Sequence, residues 1–253
     1  MSGPRIPQAA AAGFSAGSAA YQRGRPSYPQ EAVDLIRTEL GVGPASRVVD
    51  LAAGTGKFTA LLVPTGAEIV AVEPVKQMGD ELRRAVPGVE VLEGTAENIP
   101  LPDGSVDALT VAQAFHWFDF DAALVEIARV LRPGGGLAFM WNRRDESVPW
   151  VRRMSEVIHW HDREIANYDV IDWPGVVGQS GRYTPLQRRT FAFEHELDRA
   201  GLADRVRSVS YIAAMEEAER EENVARVLAL VEDKPERFPL PYSTLVFWCS
   251  KRS

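Results

Sequence analysis

The spacing of apolar and polar positions changes twice along the chain. Residues 1–13 are rich in Ala, Gly and Pro and carry no period that could bury a face, which predicts a disordered tail. Glu31–Leu40 places Val33, Ile36 and Leu40 on one helical face and stops at Gly41. From residue 47 short apolar runs alternate with amphipathic stretches. Strands are expected at 47–51, 68–73, 89–93, 106–112 and 136–141, and helices near 57–63, 75–86 and 120–131. The last of these helices carries Ala123, Leu124, Ile127, Val130 and Leu131 on one side and runs into Pro133-Gly134-Gly135-Gly136, a stop signal. After residue 142 the alternation breaks. A helix is expected at 149–166, with Trp150, Met154, Val157 and Ile158 in register, then a strand at 187–193, a helix at 216–232 and a strand at 243–249. Strands alternating with helices of this length predict an α/β fold with a doubly wound parallel sheet. Ligands of such sheets bind beyond the carboxyl ends of the strands.

Composition narrows the classes. The 253 residues, 45% hydrophobic and 25% charged, suit a globular protein with a sizeable core. A formal net charge of −7 disfavours duplex nucleic acid or an anionic membrane as a partner. The single cysteine, Cys249, lies in the apolar run Leu245–Cys249, so burial is expected, and no intrachain disulfide or cysteine zinc cluster can form. No apolar run reaches membrane length, and Ala9–Ala12 is too short and too weakly apolar for a signal-peptide core; a cytoplasmic location is the expectation. His159 and His161, two residues apart on the expected helix, point to different sides, so no metal site is expected. Oligomeric state is not legible.

The chemistry concentrates in residues 47–59. An apolar run ends at Asp50, turns through Ala52-Ala53-Gly54-Thr55-Gly56 and enters a helix at Lys57. A strand that passes through glycines to a helix N-terminus offers backbone N–H groups to the polar end of a nucleotide-like cofactor. About 20 residues later Glu73 closes the next expected strand, the position from which a carboxylate accepts both hydrogen bonds of a ribose diol. A Walker loop fails here, because Leu51 stands where its first glycine belongs and Phe58 follows the lysine. A dinucleotide fingerprint is weakened by Thr59 at its third glycine position.

The turn resembles the first motif of the class I S-adenosylmethionine-dependent methyltransferases, acid-x-Gly-x-Gly-x-Gly, with Ala52 at the first glycine position. Glu73-Pro74, Glu93–Glu97, Ala112–Phe118 and Val130–Gly135 follow at that family's intervals, so the resemblance covers nearly the whole chain. Its specific look is of the type 11 branch, which includes small-molecule enzymes akin to trans-aconitate methyltransferases. The resemblance implies a Rossmann-like sheet of seven strands, the last antiparallel, with S-adenosyl-L-methionine as cofactor and a small-molecule methyl acceptor. By that resemblance residues 52–56 wrap the methionine end, Asp50 favours its ammonium, Glu73 holds the ribose, and Thr95-Ala96-Glu97 lie beside the adenine. Gln113 and Ala114 lie next to the sulfonium. Met78 packs either on the adenine or in the core. Tyr21 and Arg25 belong to an N-terminal lid over the cofactor.

His116 serves as general base or as a shape and hydrogen-bonding residue. Trp117 and Trp141 wall the reaction site or pack in the core. Asn142 and Arg143 end the fifth strand at the same edge, where Arg143 could steer an anionic acceptor and Arg144 reads as solvated. The division implied is a tail at 1–13, lid and first helix at 14–46, cofactor-binding core at 47–146, and at 147–253 a helical cover insertion with strands that complete the sheet. A nicotinamide-dependent oxidoreductase and a non-catalytic S-adenosylmethionine-binding regulatory protein stand as the alternatives.

Overall fold

The computed structural model describes residues 24–161 and 170–253. The expected tail at 1–13 and Tyr21 of the expected lid lie outside these residues. Seven strands form a sheet in the order β3-β2-β1-β4-β5-β7-β6. They are β1 Arg47–Leu51, β2 Glu68–Val72, β3 Glu90–Leu92, β4 Val106–Ala112, β5 Leu131–Arg144, β6 Gln187–Leu197 and β7 Phe238–Ser250. The pairs from β3 to β5 are parallel, and β7 runs antiparallel to both β5 and β6. The helices are α1 Gln30–Glu39, α2 Lys57–Leu62, α3 Lys76–Ala85, α4 Phe120–Val130, α5 Pro149–Val157, α6 Trp173–Gln179, α7 Arg199–Arg207, α8 Ser210–Ala213 and α9 Glu217–Ala229.

Alternation along the strands builds a core on each side of the sheet. Val49 and Leu51 of β1, Leu109 and Val111 of β4, and Leu137, Phe139 and Trp141 of β5 pack with Leu124 and Ile127 of α4. On the opposite side Val48, Ala108, Ala138 and Met140 meet Val33 and Ile36 of α1 and Phe58 and Leu62 of α2. A third cluster joins α5, α7 and α9 through Met154, Val206 and Val227 to Leu240 and Tyr242 of β7. Cys249 is buried in β7, and burial pushes its thiol up to about 12.

Three local expectations need correction. The Pro-Gly-Gly-Gly segment does not merely end α4. Leu131 pairs with Val106 and Gly136 with Ala108, so the residues between bulge out of a strand already begun, with Gly134 at φ 76°. The helix expected over 149–166 stops at Val157, because the Trp160 amide returns to Ser155 O and the His159 amide to Glu156 O, with His159 at φ 50°. That bond pair is a Schellman C-cap with histidine in place of the usual glycine; positions 162–166 lie outside the described residues. Strands β6 and β7 also outrun their expected bounds, and α6, α7 and α8 were not foreseen.

Candidate active site

Strand alternation decides where the first acid points. Asp50 shares a side with Val48, under α2, and it pairs across the sheet with Thr110 of β4. Its carboxylate is wholly buried and accepts the Thr59 hydroxyl at 2.6 Å and the Thr110 hydroxyl at 3.3 Å. The Thr59 backbone amide bonds to it as well. Burial dominates over these bonds and pushes Asp50 up to about 7, with the nearby Glu73 charge adding to the rise. Asp50 thus ties α2 to the β1–β4 pair from below the turn.

The turn is conformationally demanding. Ala52 occupies the left-handed region at φ 55°, as do Gly54 at 60° and Gly56 at 84°. For an L-residue with a Cβ this costs about 1–2 kcal/mol, which explains why a glycine belongs at the Ala52 position. A Cβ on Gly56 would stand 2.8 Å from Leu82 Cγ, whereas one on Gly54 would meet nothing within 4 Å. Gln113, at the end of neighbouring β4, is also left-handed at φ 63°. Strain of this kind gathers where a site is held against local preference.

Glu73 follows β2 and is 5% exposed. Its two carboxylate oxygens accept separate backbone amides, Gly54 N at 2.8 Å and Val75 N at 2.9 Å. Burial raises its pKa and the two amide bonds oppose the rise. The carboxylate therefore braces the turn while lone pairs remain for a ligand.

A cavity opens at these strand ends. The turn residues Ala52–Thr55, Lys57, Gln113 and Asn142 form its floor, and Arg205 and Tyr242 form one wall. Arg25, Pro26 and Tyr28 form a strap across it. The strap is held by Lys57 Nζ donating to Arg25 O at 2.7 Å and by Asn142 Nδ2 donating to Ser27 O at 2.8 Å. The Arg25 guanidinium donates to Ser208 O at 2.9 Å. Thr244 orients Asn142 by donating to its Oδ1 at 2.6 Å. Arg205 Nε donates to the Tyr242 hydroxyl at 2.8 Å. Burial and the neighbouring Arg25 charge pull Lys57 down to about 8.

Other expected site residues lie outside this cavity. Pro74 is half-buried and Met78 buried on α3. Thr95 is exposed, Ala96 packs in the core, and exposed Glu97 accepts the Asp119 amide at the α4 N-terminus at 3.0 Å. Ala114 also packs against the core. His116 and Trp117 form a short 3₁₀ turn after β4. Trp141 is fully buried, stacks on Trp173 at 4.7 Å between ring centroids, and donates its indole N–H to His116 Nδ1 at 3.1 Å. It supports His116 from the core and does not line the cavity. The two arginines trade their expected places. Arg143 is exposed, while Arg144 is buried with its guanidinium 4.2 Å from the Trp160 ring centroid.

Sequence reasoning missed Lys57, Arg205 and Tyr242 as cavity residues. Lys57 had a visible signal in its place directly after Gly56. Arg205 and Tyr242 reach the site only through the packing of α7 on β7, and no local pattern marks them. Among the described residues no group of three or more His, Cys, Asp or Glu is placed to hold a metal ion. No helix among them is long and apolar enough to cross a membrane.

A doubly wound sheet whose strand ends carry a left-handed turn backed by a carboxylate defines a cofactor-binding α/β enzyme. Residues 49–139 match the family model of a methyltransferase domain. An uncharacterized methyltransferase of Mycobacterium tuberculosis is 41% identical over 237 residues, covering 92% of this chain and 93% of that protein. An uncharacterized methyltransferase-like protein of Schizosaccharomyces pombe is 33% identical, covering 94% of this chain and 95% of its own length. A structure from Anaeromyxobacter dehalogenans, provisionally described as a type II methyltransferase, superposes with a TM-score of 0.66 at 25% identity, covering 90% of this chain and 97% of that one. The chain belongs to the class I S-adenosylmethionine-dependent methyltransferases.

Proposed function

We propose that this enzyme moves a methyl group from S-adenosyl-L-methionine to a small anionic acceptor by in-line displacement, acting in the cytoplasm. The observation that carries the reading is the charge of the cavity. Arg25, Lys57 and Arg205 line it, and no aspartate or glutamate does so among the described residues. Three cations around one cavity, with no acid among its lining residues, give it a positive field that favours carboxylate or phosphate ligands. The resemblance to trans-aconitate methyltransferases agrees with such an acceptor.

The cofactor fits the residues present. Gly54 has open space where a side chain would stand, and the Glu73 carboxylate sits directly behind the Gly54 amide. When bound, the cofactor supplies an electrophilic methyl on a cationic sulfonium. Residues 52–55 would hold its methionine end, Glu73 its ribose, and Lys57 and Arg25 would meet its carboxylate. Asp50 serves from beneath, fixing α2 under the turn rather than touching the ammonium. With Lys57 and Arg25 taken up by the cofactor carboxylate, Arg205 is the lining cation left for an anionic acceptor, which it and Asn142 would position, and the strap would exclude water.

A carboxylate acceptor is already ionised at neutral pH and needs no base. His116 suits a supporting part. The indole N–H of Trp141 can only donate, so the neutral His116 ring accepts at Nδ1 and carries its proton on Nε2. In that tautomer the ring's one accepting nitrogen is already occupied, so His116, outside the cavity lining, supports the site and does not take a proton from the acceptor.

A labelled-methyl screen with acceptors in matched pairs, each carboxylate against its amide, tests the reading. Transfer to the carboxylates alone is expected; equal transfer to the neutral members would overturn the anionic assignment.

A further inference from the structure

The two edges of the sheet are guarded very differently. At one end β3 is only three residues long, and the Arg83 guanidinium donates to the Val91 carbonyl at 2.9 Å. A short edge covered by a charged side chain resists pairing with other chains. At the other end β6 runs eleven residues, Gln187–Leu197, paired with β7 along its length. Among the described residues no strand lies beside its outer edge. The segment contains no proline, glycine or lysine, the residues that usually blunt an edge.

The side chains of β6 divide by face and by charge. Arg188, Thr190, Ala192, Glu194 and Glu196 are exposed on one face, while Phe191, Phe193, His195 and Leu197 turn toward the packed side. The amino-terminal half carries Arg188 and Arg189, and the carboxyl-terminal half carries Glu194 and Glu196. Among the described residues none of these four forms an ion pair within its own chain.

We propose that two copies of this chain pair through β6, edge to edge and antiparallel, joining their sheets across a two-fold axis. An axis through Ala192 matches the strand along its full length and sets Arg188 opposite Glu196 and Phe191 opposite Phe193. An axis through Phe191 sets Arg188 opposite Glu194. In both registers the basic half of one strand faces the acidic half of the other, and residues set opposite each other share a face; Gln187 and Arg189 are exposed on the second face. Parallel self-pairing would instead set arginine beside arginine, so the charge pattern selects the two-fold arrangement. The backbone adds roughly ten hydrogen bonds, about one per paired residue.

Sedimentation velocity on the full chain, from low micromolar to about 100 µM, tests this. The wild type is expected to sediment as a dimer within that range. Arg188→Glu should weaken the dimer by at least about tenfold, since it places like charges opposite each other. Glu194→Arg combined with Glu196→Arg should do the same. Mixing the two variants should restore a dimer, now of one copy of each, because every opposed pair is again of unlike charge. All these positions are exposed, and unchanged circular dichroism and melting would confirm that each variant folds. A wild type that stays monomeric at the highest concentration would overturn the proposal. So would a dimer indifferent to both reversals, or a mixture that fails to reassociate.

Discussion

Strands β1 and β2 lie side by side and each ends at a carboxylate, yet the two acids work in opposite ways. Asp50 lies wholly within the core, held by two threonine hydroxyls and the Thr59 amide under α2. Glu73 lies one strand over, gripping the Gly54 and Val75 amides at the margin of the turn. The first acid is part of the scaffold that fixes the turn. The second braces the margin of the same turn and, on the function proposed above, would meet the ribose. What separates them is strand alternation together with the donors that each environment supplies; residue type and place at a strand end do not distinguish them.

The sharpest way to break this contrast is Asp50→Ala. It leaves the Thr59 hydroxyl and backbone amide at the start of α2 without their buried acceptor, while Thr110 keeps the Val49 carbonyl, so a stability loss of about 3 kcal/mol is expected in denaturant melts. A loss below about 1 kcal/mol would remove Asp50 from the scaffold.

The pH dependence gives a second test of Asp50. The folded protein keeps the Asp50 proton until about pH 7, while the ordinary value is 3.8. Between those values the folded chain holds a proton that the unfolded chain has released. The associated stability is therefore complete below about pH 4 and declines as pH rises through 7. Glu73, also raised, contributes with the same sign. Melting temperatures of Asp50→Asn should lose most of this decline across pH 4–7 relative to wild type; an unchanged slope would contradict the assignment.

Glu73→Ala should act on the ligand more than on the fold. A loss of about 1–3 kcal/mol in affinity for S-adenosylhomocysteine is expected by calorimetry, with a smaller change in melting. The smallest effect is expected at Ala52. Replacement by glycine relieves the left-handed strain but adds backbone freedom to the unfolded chain, leaving a net gain of about 0.5–1 kcal/mol. Destabilisation by that variant would mean that the alanine methyl makes contacts outweighing its backbone cost.

Much of this was legible along residues 47–142, where each element is local. A strand of five residues followed by a glycine turn declares itself in one window, and β1, β2 and β4 start where the pattern places them, while β5 starts five residues early, at Leu131. Beyond residue 142 the signals fail for physical reasons. The end of α5 rests on a Schellman cap at His159, a residue type that does not announce a helix terminus. The exchange of Arg143 and Arg144 depends on strand phase at the end of β5, where shifting by a single position sends a side chain to the opposite face. Arg205 and Tyr242 join the cavity from α7 and β7 through contacts far apart in sequence. The sequence reading turns Asp50 toward the cofactor ammonium, whereas its carboxylate is buried beside Thr59 and Thr110, and the Thr110 contact comes from a strand 60 residues away.

The central claim is that the β1 turn and Glu73 hold one adenosyl ligand between them. Isothermal titration of the full chain with S-adenosylhomocysteine, run beside NAD, tests it most directly. Saturable binding of the first that weakens in Glu73→Ala, with no heat from the second, is the predicted result. Silence toward S-adenosylhomocysteine at millimolar concentration, or binding indifferent to the loss of Glu73, would contradict it.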